Sequence, residues 1–292
     1  MLLTDKVRVA LVQNVSRVGN EDFDPRDSNL ENAIPYIRRA AQEGAHLVIF
    51  GEMYLSGYRT DEYLYKYATI IDPPDKHVET LASEAAANQI HVVMGAATFG
   101  DSVPGDIYNS AILIGPDRGL VGVYRKAHVA GFPYSKGVST ERCFYSPGRE
   151  LPVFDTAIGR IGIHICYDIA FPEVSRVQTI KGADYLVNIS AAADGFEDYW
   201  EHLPYARAFE NAIWYILCSV VGEQRGETLL VGGSKVLDPT GNVVATAGRG
   251  AERFLIVDID PTVTRFARGT LHILNTRQPE LYAEIARPLR RP

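Results

Sequence analysis

Val7, Val9 and Leu11 alternate with Arg8 and Ala10, the period of two that a half-buried strand requires. The pattern then changes to helical spacing. Leu30, Ile34, Ile37 and Ala41 fall on one helix face, with Asp27 or Ser28 placed to cap its first turn. Pro35 lies inside this run and predicts a kink, or a helix start close to it. The apolar stretch from His46 to Phe50 predicts a buried strand ending just before Glu52, and a helix over Val78 to Asn88 leads into a strand over His91 to Phe99. Strands at Ser110 to Ile114 and Leu120 to Arg125 flank Pro116-Asp117-Arg118-Gly119, a hairpin signal.

The second half repeats the theme. Leu151 to Thr156 and Arg160 to Cys166 read as strands around a tight Ala157-Ile158-Gly159 turn. A helix begins near Pro172, since proline suits a first helical turn. Tyr185 to Ser190 is a strand and Asp198 to Asn211 a helix. Trp214 to Val221 and Val231 to Leu237 are strands, the latter ending in the turn Asp238 to Asn242. Val243 to Ala247 and Phe254 to Ile259 complete the set. Alternating strands and helices predict an α/β or layered α+β protein. Nearly a dozen strands exceed one ordinary open sheet, so two sheets face to face are expected.

Composition narrows the function. The 292 residues are 46% hydrophobic, which excludes a disordered chain. A net charge of −7 and a pI near 5.5 offer no general basic surface to nucleic acid. The apolar stretch Ala212 to Val221 is about half the length a membrane helix needs, and Met1 to Asn14 reads as a strand rather than a signal peptide. No linker divides the chain, so one domain over residues 1–292 is expected. Three cysteines make no disulfide framework and fit a reduced, cytoplasmic protein in which a thiol is free for chemistry.

Cys166 has the setting for such chemistry. It follows the strand Arg160 to Ile165 and precedes Tyr167-Asp168-Ile169-Ala170-Phe171-Pro172, a strand-to-turn position whose backbone N–H groups favour an anion. Cys218 lies in an apolar strand and reads as core. A cysteine nucleophile needs a base, because only a few per cent of a free thiol is ionised near pH 7. His164, two residues away, reads as a packed strand residue. His46, His91, His128, His202 and His272 lack ligand spacing, so no metal is expected. Gly-x-Ser-x-Gly, Gly-x-Gly-x-x-Gly and phosphate-loop motifs are absent. Two strand-end charges remain. Glu52 follows Leu47-Val48-Ile49-Phe50-Gly51, and Lys126 follows Val121 to Arg125. A carboxylate takes a thiol proton, and an ammonium stabilises a thiolate or an oxyanion.

These surroundings resemble the nitrilase superfamily of carbon–nitrogen hydrolases over nearly the whole chain. The Glu-Lys-Cys order of that family matches Phe50-Gly51-Glu52-Met53, Tyr124-Arg125-Lys126-Ala127-His128 and Ile165-Cys166-Tyr167-Asp168. Further matches are Glu141 in Glu141-Arg142-Cys143-Phe144-Tyr145, and Lys181-Gly182-Ala183-Asp184, Arg207 to Asn211, Gly232-Gly233-Ser234 and Arg277 to Tyr282. The resemblance implies a four-layer αββα sandwich of two mixed β-sheets flanked by helices. It also implies no cofactor, and a homodimer formed across a helical face, with a tail from about residue 270 to 292 in its contacts. Glu52 is implied as general base, Lys126 and the backbone N–H of Tyr167 as oxyanion donors, and Glu141 as the residue positioning Lys126 or the amide. Read from its neighbours alone, Glu141 is a surface ion-pair partner of Arg142 or Arg149.

Cys166-Tyr167-Asp168 with Phe171-Pro172-Glu173 looks like the amidase and carbamoylase side of the family, so a small amide and water are the expected substrates. Ala170 stands where several members acting on carboxylate-bearing substrates have arginine, which points to an uncharged amide. Gly51 replaces a common proline, and Ser190-Ala191-Ala192 replaces a segment often ending in an aromatic. Tyr58, Phe132, Tyr134, Phe171 and Ala192, each in or beside a loop after a catalytic strand, are the expected pocket walls. N-carbamoyl hydrolysis, nitrile hydrolysis, acyl transfer and an inactive scaffold are the competing readings.

Overall fold

Strands that are apolar at every position, such as Leu47–Phe50, need cover on both faces, and the architecture supplies it. The computed structural model describes residues 5–100, 103, 105–134, 137–224 and 228–288. One sheet is ordered β16 (Arg253–Ile259), β1 (Val7–Gln13), β2 (Leu47–Phe50), β3 (His91–Phe99), β4 (Ile107–Gly115), β5 (Gly119–Arg125). The other is ordered β8 (Val153–Thr156), β9 (Gly159–Ile165), β10 (Tyr185–Ser190), β11 (Trp214–Ser219), β14 (Lys235–Leu237), β15 (Val243–Thr246). Both sheets are mixed and share one plan. An antiparallel edge strand precedes three parallel strands, and two antiparallel strands follow.

The sheets pack face to face through one set of alternate residues. Leu11, Ile49, Val93 and Tyr124 meet Ile163, Ile165, Val187 and Ile216 there. The complementary set faces helices. Val12, Val48 and Phe50 lie in one cluster with Leu30 and Ile37 of α1 (Pro25–Gln42), separated from α3 (Lys76–Asn88) by the short α2 (Leu64–Tyr67). Leu186, Tyr215 and Leu217 cluster with Ala208 of α5 (Glu197–Asn211), beside α4 (Pro172–Ile180). This is the αββα sandwich. Two ribbons, β6 (Pro133–Tyr134) with β7 (Gly137–Val138) and β12 (Val221–Gln224) with β13 (Thr228–Val231), lie outside the sheets. α6 (Pro261–Leu271) and a 3-10 turn (Pro279–Ala286) with no buried residue follow β16. Among the described residues, no helix is long and apolar enough to cross a membrane.

Local departures from the sequence reading have local causes. The first helix is capped by Asp24, whose side chain accepts from Arg26 N, with Pro25 in the first turn; neither Asp27 nor Ser28 is the cap. Pro35 sits within that helix at an exposed position, where a missing N–H costs least. The expected strand over 231–237 is two strands, because Gly232 and Gly233 both take positive φ and turn the chain between them. The expected strand over 214–221 likewise divides into β11 and β12.

Candidate active site

Four strand ends and one turn converge where the two sheets meet. Glu52 follows β2, and Gly51 makes that possible. A Cβ on Gly51 would lie 2.7 Å from Val220 Cγ1 and Val220 N of the opposing layer. The Glu52 backbone N–H donates to the carbonyl of Ser190, the last residue of β10, at 3.2 Å. Lys126 follows β5, and its N–H donates to the Asn109 carbonyl on β4 at 2.8 Å. Cys166 follows β9 and opens a 3-10 turn, Cys166–Ala170, with φ of 46°. Met53, next to Glu52, has φ of 54°. Left-handed backbone is strained for such residues, and here it flanks the reactive groups.

Glu52, Lys126 and Glu141 are buried together. Lys126 Nζ donates to Glu52 Oε1 at 2.8 Å and to both Glu141 oxygens, at 3.0 and 2.9 Å. Glu52 Oε1 also accepts from Asn109 Nδ2 at 2.7 Å, and Oε2 accepts from the Ala191 N–H at 2.8 Å. Glu141, on a 3-10 turn (Glu141–Cys143), further accepts from Tyr58 Oη, Asn109 Nδ2 and the Ala130 N–H. The surface ion pair with Arg142 or Arg149 is therefore corrected. Glu141 is fully buried and pairs with Lys126, while Arg142 donates to the Val129 carbonyl. Cys166 lies close enough to Glu52 for each to shift the other's ionisation, and the Ala191 N–H that bonds Glu52 Oε2 also acts on the thiol.

Burial sets the electrostatics. It pushes the Cys166 thiol well above its usual range, reinforced by Glu52 and opposed by Lys126, so the resting group is a thiol. Burial also raises the Glu52 carboxyl, against the pull of Lys126. For Lys126, burial favours loss of the proton, but Glu141 and Glu52 reverse it and hold the ammonium well above its usual range. The site thus pairs a neutral thiol with a carboxylate of raised basicity and a permanent cation. That arrangement can move a proton from sulfur to oxygen and stabilise negative charge beside it.

Asp168, quoted in the motif without a role, ties the lysine and cysteine segments together. Its buried carboxylate accepts from Tyr124 Oη (2.6 Å), His128 N (2.9 Å), His128 Nδ1 (2.8 Å) and Ile165 N (3.0 Å). Burial alone would raise its pKa, but these donors hold it below the ordinary value. Tyr124 and His128 bracket Lys126, and Ile165 adjoins Cys166. His164 is the packed strand residue expected, bonded to Gln178 Oε1 and Tyr215 Oη. Cys218 is core, its thiol pushed up to about 12 by burial, and Cys143 is exposed. Among the described residues no cluster is suited to a metal ion.

Lys126 and Cys166 open onto a cavity of about 540 Å³. Of the expected walls Tyr58 and Phe132 line it, and Tyr167 lines it too. The Tyr134 side chain lies outside the described residues. Phe171 and Ala192 are corrections, because neither is on the wall. Phe171 stacks on His128 at 3.6 Å between centroids. Ala192 lies in extended chain after β10, so alternation turns Ala191 and Ala193 to the cavity and buries Ala192 behind them. Ala170, singled out in the sequence for its place, is on the wall, and Phe196, Trp200 and Leu203 complete an apolar face that sequence reasoning missed. Asn109 and the Ala191 N–H were missed as well. Asn109 was one polar residue beside an apolar strand, and a backbone donor has no side-chain signal.

A family model described as carbon-nitrogen hydrolase matches residues 8–268. Omega-amidase NIT3 of Saccharomyces cerevisiae is 31% identical over 290 residues, 97% of either chain. Omega-amidase NIT2 of Xenopus tropicalis is 32% identical over 282 residues, 95% of this chain and 97% of that one. The crystal structure of Saccharomyces cerevisiae Nit3, a member of branch 10 of the nitrilase superfamily, has a TM-score of 0.83 at 30% identity, covering 95% of this chain and 97% of that chain. An amidase from Nesterenkonia sp. AN1 shares the fold, with a TM-score of 0.79 at 23% identity, covering 94% and 95% of the two chains. That structure is of a glutamine-for-glutamate mutant, whose active-site cysteine carries the acetamide moiety of fluoroacetamide.

Proposed function

The chain belongs to the carbon–nitrogen hydrolase family of the nitrilase superfamily, and on that premise we propose that it hydrolyses a small, uncharged amide through Cys166. Glu52 takes the thiol proton as sulfur bonds to the amide carbon, and the carbonyl π pair moves to oxygen. Lys126 and the Tyr167 N–H stabilise that oxyanion. Its collapse breaks the C–N bond, and Glu52 returns the proton to the departing ammonia, leaving a thioester. Glu52 then deprotonates a water that attacks the thioester, and the sulfur leaves as thiol with the carboxylic acid as product. The observation carrying this reading is the convergence of a buried Glu52–Lys126 pair on the Cys166 thiol. Glutamate mutants of an amidase of the same fold carry a covalent acetamide adduct on the active-site cysteine, which supports cysteine as the nucleophile.

The substrate class rests on the wall. Ala170 faces the cavity where related carboxylate-acting enzymes are expected to carry arginine, and Lys126 is the single cation on the described wall. Lys126 is balanced by two carboxylates, so the site as a whole repels an anionic substrate. The chain is read as one catalytic domain in the cytoplasm, acting as a homodimer. Exposed Ile180, Tyr205 and Phe209 on α4 and α5, and Leu281 and Ile285 of the tail, support a covered helical face.

Ammonia release from butyramide, phenylacetamide, glutaramate, an N-carbamoyl amino acid and butyronitrile tests the substrate class. Butyramide or phenylacetamide is expected to turn over at least about 10-fold faster than glutaramate, and Ala170→Arg to narrow that gap by a similar factor, the worth of one charge-assisted pair. Wild-type preference for glutaramate would overturn the uncharged-amide assignment, and activity on nitrile alone would overturn the amidase.

A further inference from the structure

We propose that Asn109 is a positioning residue that fixes which oxygen of Glu52 exchanges a proton with Cys166; the proposal rests on the amidase reading above. A carboxylate has about four acceptor sites, two on each oxygen. On Glu52, Oε1 is filled by Lys126 Nζ and Asn109 Nδ2, whereas among the described residues Oε2 accepts from the Ala191 N–H alone. The open site is on Oε2. The same Ala191 N–H, 2.8 Å from Oε2, also favours the Cys166 thiolate, so Oε2 is the oxygen on the thiol's side. Glu141 has no such vacancy. Its Oε1 takes Tyr58, Asn109 and Lys126, and its Oε2 takes Lys126 and Ala130. Two carboxylates sharing one lysine are thereby given different capacities, and Asn109 contributes to both.

An amide suits this place for a physical reason. A second lysine would neutralise the excess negative charge and remove the basicity that Glu52 needs. An amide donates two N–H groups and adds no charge. Asn109 Nδ2 and Lys126 Nζ bridge the same two oxygens, Glu52 Oε1 and Glu141 Oε1, closing a ring that prevents either carboxylate from rotating. The Asn109 carbonyl also accepts from the Lys126 N–H, so both donors of the ring are registered by one β4–β5 contact. The cost is visible at Asn109 Oδ1, which is buried with no partner among the described residues. A residue kept only for packing has no reason to strand an acceptor.

The test avoids any need to know the substrate. Alkylation of Cys166 by iodoacetamide, read at its own peptide by mass spectrometry across pH, follows the Cys166–Glu52 proton transfer directly. Asn109→Leu keeps the size and removes both donors. It is expected to slow alkylation by about 10- to 100-fold, the worth of one hydrogen bond to a charged group. It is also expected to move the acid limb to higher pH, because Glu52 loses a donor that favours its charged form. Asn109→Asp adds a carboxylate and should move the limb the same way, which keeps the test available if the leucine variant does not fold. On butyramide, kcat should fall with KM within about threefold. Unchanged rate and acid limb in both variants, with Glu52→Gln inactive on butyramide, would overturn the Asn109 role alone. Ammonia release from butyramide undiminished in Glu52→Gln would overturn the amidase reading itself.

Discussion

The two sheets have the same strand plan and different contributions to the site. β2 and β10 occupy corresponding places, and both end where the layers meet. The end of β2 presents the Glu52 carboxylate, and the end of β10 presents the Ala191 N–H that donates to it at 2.8 Å. β1 and β9 also correspond. β1 ends in Gln13, spent on structural bonds to the Gly248 and Ala251 carbonyls, whereas β9 ends in the strained Cys166. In the proposed mechanism one sheet therefore holds the base and, after β5, the cation; the other holds the nucleophile and a neutral donor, and the reacting proton crosses from one sheet to the other. Catalysis on this scaffold depends on the packing between layers, with Asp168 anchoring Cys166 to the Lys126 segment.

Removing the base from the first sheet should break this division most severely. Glu52→Gln keeps the shape and a hydrogen-bonding group but loses the proton acceptor, so kcat on butyramide should fall by about 10³-fold or more. Glu141→Gln leaves the base in place and disturbs only the setting of Lys126, so about 10- to 100-fold is expected. Equal losses would erase the distinction between the two carboxylates. Steady-state kinetics on both variants, with circular dichroism to confirm folding, decides it.

The second sheet offers a smaller test, on stability rather than rate. Burial lowers the His164 pKa to about 4, against an ordinary 6.5. Above pH 6.5 both folded and unfolded chains hold it neutral and it has no effect. As pH falls from 6.5 towards 4 the unfolded chain gains a proton that the folded chain refuses, so stability is lost by about 2–3 kcal/mol. Urea unfolding at pH 7 and pH 4.5 should show that loss in the wild type and a shallower one in His164→Gln. The same slope in both would mean that other groups dominate the acid response.

Much of this was legible in the chain, and the remainder was hidden for identifiable reasons. Strands such as Leu47–Phe50 and Tyr185–Ser190 were visible because apolar runs of that length have few alternatives. Glu52, Lys126 and Cys166 were visible because each ends such a run. Of the ribbon β12–β13 only Val221 and Val231 were read as strand, at the ends of neighbouring runs, since hydrophobicity carries through Val220 and Val231 while the turn at Gly232-Gly233 depends on φ. For Glu141 a surface ion pair stayed open beside the site role that the resemblance implied, because its partner is 15 residues away in sequence and on another element. Phe171 and Ala192 were placed beside the site correctly but oriented wrongly, because side-chain direction after a strand depends on where the chain bends. Asp168 and Asn109 act through bonds between distant segments, which no local pattern encodes.

The most direct measurement is a mass spectrum of the protein quenched during turnover of butyramide. The structure predicts an acyl adduct confined to the Cys166 peptide, lost on hydroxylamine treatment and absent in Cys166→Ala along with all ammonia release. Turnover with no adduct at Cys166, and ammonia undiminished in Cys166→Ala, would contradict it.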